Sequence, residues 1–199
     1  MSPIPEYYQT FEAELVALCA STLAGFKSGS IFSVRPVNHP YIEEKVTGWD
    51  IILSPMGIRM RILCQGNQNC QTIIYVYRPA MVQSDLDDPL AQKILAGFGC
   101  LEYDLESVIA HMSQRLGEAF DSFPHEIGLL IGYPAEDVDG FIRHKGCNFT
   151  CNGLWKAYGC PHQRQKFFSK CRKCERVCTI LFSGDTPVEK LAVARRPVF

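Results

Sequence analysis

The chain has 199 residues, 47% of them hydrophobic and 21% charged, with a net charge of -1. That is enough chain for one sizeable core, in ordinary globular usage. Balanced charge without a basic block argues against a nucleic-acid surface, and no apolar run is long enough to span a bilayer, so neither nucleic acid nor membrane is expected as a partner. Residues 1–6 show neither a charged n-region nor an apolar h-region; no signal peptide is expected, and the predicted location is cytoplasmic. In a reducing compartment the ten cysteines are expected as thiols or metal ligands rather than disulfides. Six of them lie between Cys147 and Cys178.

In chain order, residues 5–20 read as a helix, with Phe11, Leu15, Leu18 and Cys19 on one face and Glu12 and Glu14 outside it. Residues 23–30, with two glycines and two serines, read as a loop whose one charge is Lys27. Residues 31–34 form a short strand, and 40–53 a helix with Ile42, Val46 and Trp49 inward. Ile58, Met60, Ile62 and Cys64 alternate with Arg59 and Arg61, residues 65–69 turn, and 72–77 return as a β-branched and aromatic strand: an antiparallel hairpin. Pro79 ends it, since proline cannot donate to a ladder. Helices are predicted over 88–96 and 101–120, the second with Leu105, Ile109, Met112 and Leu116 in helical register.

The stretch Phe123-Pro124-His125-Glu126-Ile127-Gly128-Leu129-Leu130-Ile131-Gly132-Tyr133-Pro134 is the most patterned piece of the chain. It reads as a strand running into a helix, with His125, Ile127, Leu129 and Ile131 on one face and Glu126, Gly128, Leu130 and Gly132 on the other. Two glycines on one face leave bare backbone for a close neighbour or a ligand. The following helix opens at Pro134 and stops at Gly146. Residues 154–158 read as a strand, 163–182 as the last helix, and 183–199 as an irregular tail. The expected fold is therefore one α/β domain over residues 1–199. Its sheet is mixed and roughly five-stranded, with an antiparallel hairpin and a β-α-β-α second half, covered by helices.

No complete catalytic or cofactor motif is present, and no cofactor is indicated. Three constellations could carry chemistry. Cys171, Cys174 and Cys178, preceded by Cys160 and His162, have metal-like spacing. They also form a single helical stripe with only one Cys-x-x-Cys, which suits core packing better than a metal centre. Cys19 could act as a nucleophile with His125 as its base, in a hydrolase or transferase. Its place near the end of a helix, on the apolar face, favours a buried thiol instead. His125 and Glu126 could form a polar ligand site, completed by the cations Lys27 and Arg78. The bland alternative is a pair that only caps the segment.

At Pro124-His125-Glu126 and Ile131-Gly132-Tyr133-Pro134 the chain resembles a functionally uncharacterised family of small bacterial proteins, common in clostridia and other anaerobes, with PHE and LGYP motifs. Leu23-Ala24-Gly25-Phe26-Lys27 is similar to its LAGLK segment, and Tyr77-Arg78-Pro79 to its YRP segment. Asp137-Val138-Asp139-Gly140-Phe141-Ile142 and Gly153-Leu154-Trp155-Lys156-Ala157-Tyr158-Gly159 are similar to DVxGFI and GxWKVYG. The resemblance runs from about residue 15 to residue 182. It implies no activity. It places Lys27, Arg78, His125, Glu126 and Lys156 inside motifs, and implies tyrosines where Cys171 and Cys178 stand and an acid where Cys160 stands. The expected function is binding of a small anionic ligand or a protein partner at these five residues.

Overall fold

The structure, a computed structural model, describes residues 10–35, 37–66, 71–118 and 123–194. Its elements are α1 (Phe11–Leu23), β1 (Gly29–Val34), α2 (Ile42–Leu53), β2 (Arg59–Cys64), β3 (Thr72–Tyr77), α3 (Pro79–Leu86), α4 (Pro89–Gly97) and α5 (Leu105–Glu118). Then follow α6 (Ala135–His144), β4 (Cys151–Asn152), β5 (Lys156–Ala157), α7 (Pro161–Ser183) and α8 (Val188–Leu191). The predicted helix start at 5–9, most of the hairpin turn and the last residues of the 101–120 helix lie outside the described residues. The chain forms two compact units: the part up to Arg78 together with the part from Cys171 onward, and the part from Pro79 to Lys170.

In the first unit, α1 opens at Thr10, whose Oγ1 accepts from the Ala13 amide at 3.2 Å, with Glu12 and Glu14 in the first turn. An oxygen acceptor and acids are what orphan N–H groups and the helix dipole favour there. α1 gives way to a turn in which Gly25 takes φ +75° and the Phe26 and Lys27 amides fold back onto the Ser21 carbonyl at 2.8 and 3.0 Å. β3 is the central strand of an antiparallel sheet ordered β1-β3-β2. Phe32, Val34, Met60, Ile74 and Val76 share one core cluster with Phe11, Leu15 and Leu23 of α1, Val46 and Leu53 of α2, and Cys178. Ile31, Tyr75 and Arg61 are register partners across the opposite face. On that face Tyr75 and Tyr77 stack with centroids 4.4 Å apart, and the Arg61 guanidinium lies 5.4 Å over Tyr77.

The second unit corrects the sequence reading most. Residues 123–134 do not form a strand; His125–Leu129 is a 3-10 helix. The Ile127 amide reaches the Pro124 carbonyl at 3.3 Å and the Leu130 amide the Ile127 carbonyl at 3.0 Å. Residues 126–131 are all buried, so the run has no solvent face for a period of two to mark. Gly132, at φ +74°, turns the chain toward α6. Gly128 does sit under a close neighbour, but the neighbour is a helix: a Cβ there would stand 2.8 Å from Val138 Cγ2. The strand predicted over 154–158 shrinks to β5, which pairs with β4 in a two-residue ladder. The sheets are therefore three-stranded and two-stranded, both antiparallel, and neither a mixed five-stranded sheet nor a β-α-β-α second half is present among the described residues. Pro79 ends β3 as expected but also opens α3, an element the sequence reading lacked; proline suits a first helical position. Within the stretch read as an irregular tail, Val188–Leu191 is helical.

One charge braces the first unit. Arg78 is 3% exposed. Its Nε donates to the Thr22 carbonyl at 2.7 Å, and its Nη2 to the carbonyls of Leu23 at 2.6 Å and Val193 at 2.8 Å. The last carbonyls of a helix lack partners within it and carry the negative end of its dipole. Arg78 answers both needs at the end of α1 and ties in the segment after α8. Replacing Arg78 by alanine should lower the unfolding free energy by about 3–5 kcal/mol in urea denaturation, because these three carbonyls and, more weakly at 3.5 Å, that of Met56 lose a charged donor. Arg78→Lys should recover only part of it, since one ammonium cannot reproduce the guanidinium fork.

Candidate functional site

The residues singled out from sequence fall in both units. Lys27, Arg78, Cys19, Cys171, Cys174 and Cys178 belong to the first; His125, Glu126, Lys156, Cys160 and His162 belong to the second.

In the first unit, Arg78 spends its donors on main-chain carbonyls. Cys19 is 0% exposed within the core cluster. Burial pushes its thiol up to about 12, against the opposing pull of Lys27, so it is a poor source of thiolate near neutral pH. Burial lowers the Lys27 ammonium, while Cys19, Cys171 and Glu175 favour its charge. Burial likewise raises Glu175, with Lys27 and Arg172 pulling the other way. Cys171 is fully buried, and Cys174 Sγ lies 3.9 Å from Cys178 Sγ. That contact raises the Cys174 thiol and lowers the Cys178 thiol. Cys160 and His162 are exposed. Among the described residues, no three His, Cys, Asp or Glu side chains are grouped to hold a metal ion.

In the second unit the His125-Glu126 pair points two ways. Glu126 is 0% exposed, with its Oε1 2.5 Å from Arg115 Nε, whose guanidinium lies 5.0 Å over the Phe98 ring. Neither carboxylate oxygen has an aligned hydrogen bond, and His111 Nε2, one turn before Arg115, is also buried without one. Glu126 is thus an internal ion-pair partner. His125 is exposed, and its ring meets the edge of Phe141 with centroids 4.8 Å apart. Lys156 Nζ donates to the Gly146 carbonyl at 2.8 Å and lies 5.4 Å over Phe149. Phe141 and Lys156 converge on Gly146: a Cβ there would be 3.1 Å from Phe141 Cε2 and 3.3 Å from Lys156 Nζ. Tyr158 stacks on His144 at 5.7 Å and donates to the Cys147 carbonyl at 2.9 Å. His125 therefore packs on Phe141, and Phe141 and Lys156 in turn both border Gly146.

Asp137 holds this surface together, although the sequence singles it out only as the first residue of the segment similar to DVxGFI. It is 1% exposed. It accepts from Trp155 Nε1 at 2.8 Å, the Tyr158 amide at 2.7 Å, the Gly159 amide at 2.9 Å and Arg164 Nε at 2.7 Å. Trp155 in turn packs on Tyr133 and Phe168, the heart of a second core cluster. Gly140 must be glycine because a Cβ would run into the Tyr158 ring. The available sequence signals were an acid in the first turn of α6 and two donors, Trp155 and Arg164, downstream; neither names the other.

Burial disfavours the Asp137 charge, but donation from Trp155, Tyr158, Gly159 and Arg164 outweighs it and holds the carboxyl below its usual range. A carboxyl lowered in the folded state adds stability above the unfolded value of about 3.9, and that stability is lost as pH falls through the lower folded value. Unfolding free energy should therefore decline on acidification below about pH 4. Asp137→Asn should cost about 3–5 kcal/mol at pH 7, because it removes the buried charge to which Trp155, Arg164 and two amides donate and leaves Arg164 only the exposed Glu136 as a carboxylate partner, and should flatten that acid slope. Urea titrations across pH 2–7 check both expectations, the window set by the roughly 3.9 reference value.

No curated protein and no solved structure matches the chain. A family model matches residues 15–192, most of the sequence and all the candidate site residues. The chain therefore belongs to the family described as a protein of unknown function, DUF3793.

Proposed function

We propose that the chain binds a small anionic ligand on the surface around Phe141, with His125 and Lys156 as its polar contacts. The observation that carries this is that His125 packs on Phe141 while Phe141 and Lys156 both border Gly146. Lys156 is positioned by one bond to a neutral carbonyl, so its charge is not cancelled there, and an ammonium has three donors. His144 and Lys145 stand exposed at the end of α6. The nearby acid Asp139 is paired with Arg143 at 2.6 Å. In this reading Arg78 and Glu126 shape the interiors of their units and do not touch ligand. The described cysteines are all free thiols, which fits a cytoplasmic setting. No described helix is long and apolar enough to cross a membrane. Burial of Cys19 speaks against the thiol-hydrolase alternative.

Inorganic pyrophosphate, followed by heteronuclear NMR, tests the reading. Saturable shifts should centre on the amides of Phe141, Gly146 and Lys156. Lys156→Gln and His125→Ala should each weaken binding about 10-fold or more, the worth of a charge-assisted hydrogen bond. His125→Ala should leave the melting temperature nearly unchanged, because the ring is exposed. Absence of saturable shifts, or shifts untouched by both variants, refutes the assignment.

A further inference from the structure

The C-terminal part of α7 carries Cys171, Cys174 and Cys178 on one stripe, at i, i+3 and i+7. Cys174 and Cys178 hold their sulfurs 3.9 Å apart, and Cys174 Sγ also lies 3.6 Å from the Ala20 carbonyl of α1. Cys178 is buried at 7% exposure, Cys174 is half-buried, and Cys171 lies in the interior one turn away. The contact between α7 and α1 therefore contains two sulfur donors fixed side by side.

We propose that Cys174 and Cys178 form a two-thiolate site for a soft, monovalent metal ion of the Cu(I) class. A two-coordinate Cu(I) ion sits near a straight line between its thiolates, so bonds of about 2.3 Å ask the sulfurs to part by about 0.7 Å from their 3.9 Å separation, a movement that side-chain rotation supplies without moving the helix. A disulfide fits the same pair badly. Cβ atoms one helical turn apart are about 5–6 Å from each other, whereas a disulfide brings them to about 3.5–4.5 Å. Structural zinc and iron–sulfur clusters take four ligands, and no group of even three candidate ligands exists among the described residues. Soft thiolates in low number suit Cu(I) instead. Binding replaces two S–H protons by one metal cation, leaving a complex of net charge minus one and releasing two protons. The proposal stands apart from the anion-binding surface, which belongs to the other unit.

The test uses the full chain, reduced and anaerobic, titrated with Cu(I) against a colorimetric Cu(I) chelator. Wild type should hold one equivalent, and so should the variant in which the exposed thiols are removed, Cys147→Ala with Cys160→Ala. Cys174→Ala should weaken that equivalent at least tenfold while keeping the wild-type circular dichroism, and zinc should bind at least tenfold less tightly than Cu(I). On the wild-type protein, one equivalent of Cu(I) should slow iodoacetamide labelling of Cys174, read by mass spectrometry, so the test does not depend on any variant folding. Retention of the tight equivalent in folded Cys174→Ala, its loss in the variant lacking the exposed thiols, equal affinity for zinc, or unprotected labelling of Cys174 would each overturn the site.

Discussion

The second unit depends on the carboxylate of Asp137. A buried charge is tolerable only where donors replace the water it has lost. Here two main-chain amides, an indole and a guanidinium do so, and they come from the loop after β5, from Trp155 and from the start of α7. β4 and β5 are two residues each, too short to stand as a sheet unaided. Their position relative to α6 is set instead by the bonds to Asp137 and by the packing of Trp155 on Tyr133 and Phe168. Tyr158 is thereby laid over Gly140, and Lys156 is delivered to Gly146. The proposed ligand surface is thus the outward side of a structure whose inward side is one satisfied carboxylate.

Arg78 plays the corresponding part in the first unit with the sign reversed. It gathers carbonyls where Asp137 gathers donors. The family has no assigned activity, and both of these charges face inward. In this chain these two buried charges are therefore folding devices, and function is better sought among polar residues that face outward. Glu126 and His125 show the distinction within two adjacent positions: one is sealed against Arg115, the other lies open beside Phe141.

Much of the architecture was legible in the sequence. α2 and α5 follow their apolar spacing, as does α1 at Phe11, Leu15 and Cys19 although Leu18 is exposed; β2 alternates with Arg59 and Arg61 until a register shift after Ile62 buries Leu63, and β3 follows its β-branched and aromatic run. The run 126–131 was not legible as a 3-10 helix. A segment buried on every side loses the period that distinguishes helix from strand, and its glycines resembled a strand's bare face. α3 was hidden because Pro79 reads equally as a stop for one element and a start for the next. Of the candidate site, His125 and Lys156 were marked as individual residues. Their link through Phe141 and Gly146 was not, because the placing of Lys156 depends on Asp137 bonding to groups 18 to 27 positions downstream. Such a network leaves no local pattern in the chain.

The dependence on Asp137 can be tested without a ligand. The Tyr158 and Gly159 amides lie outside any ladder, in a segment that would otherwise exchange at loop rates. Native-state hydrogen exchange should find both protected to the level of the α6 core amides. Both should lose that protection together in Asp137→Asn, while the amides of α1 and β3 keep theirs. Fast exchange at Tyr158 and Gly159 in the wild-type protein would contradict the claim that this carboxylate organises the second unit.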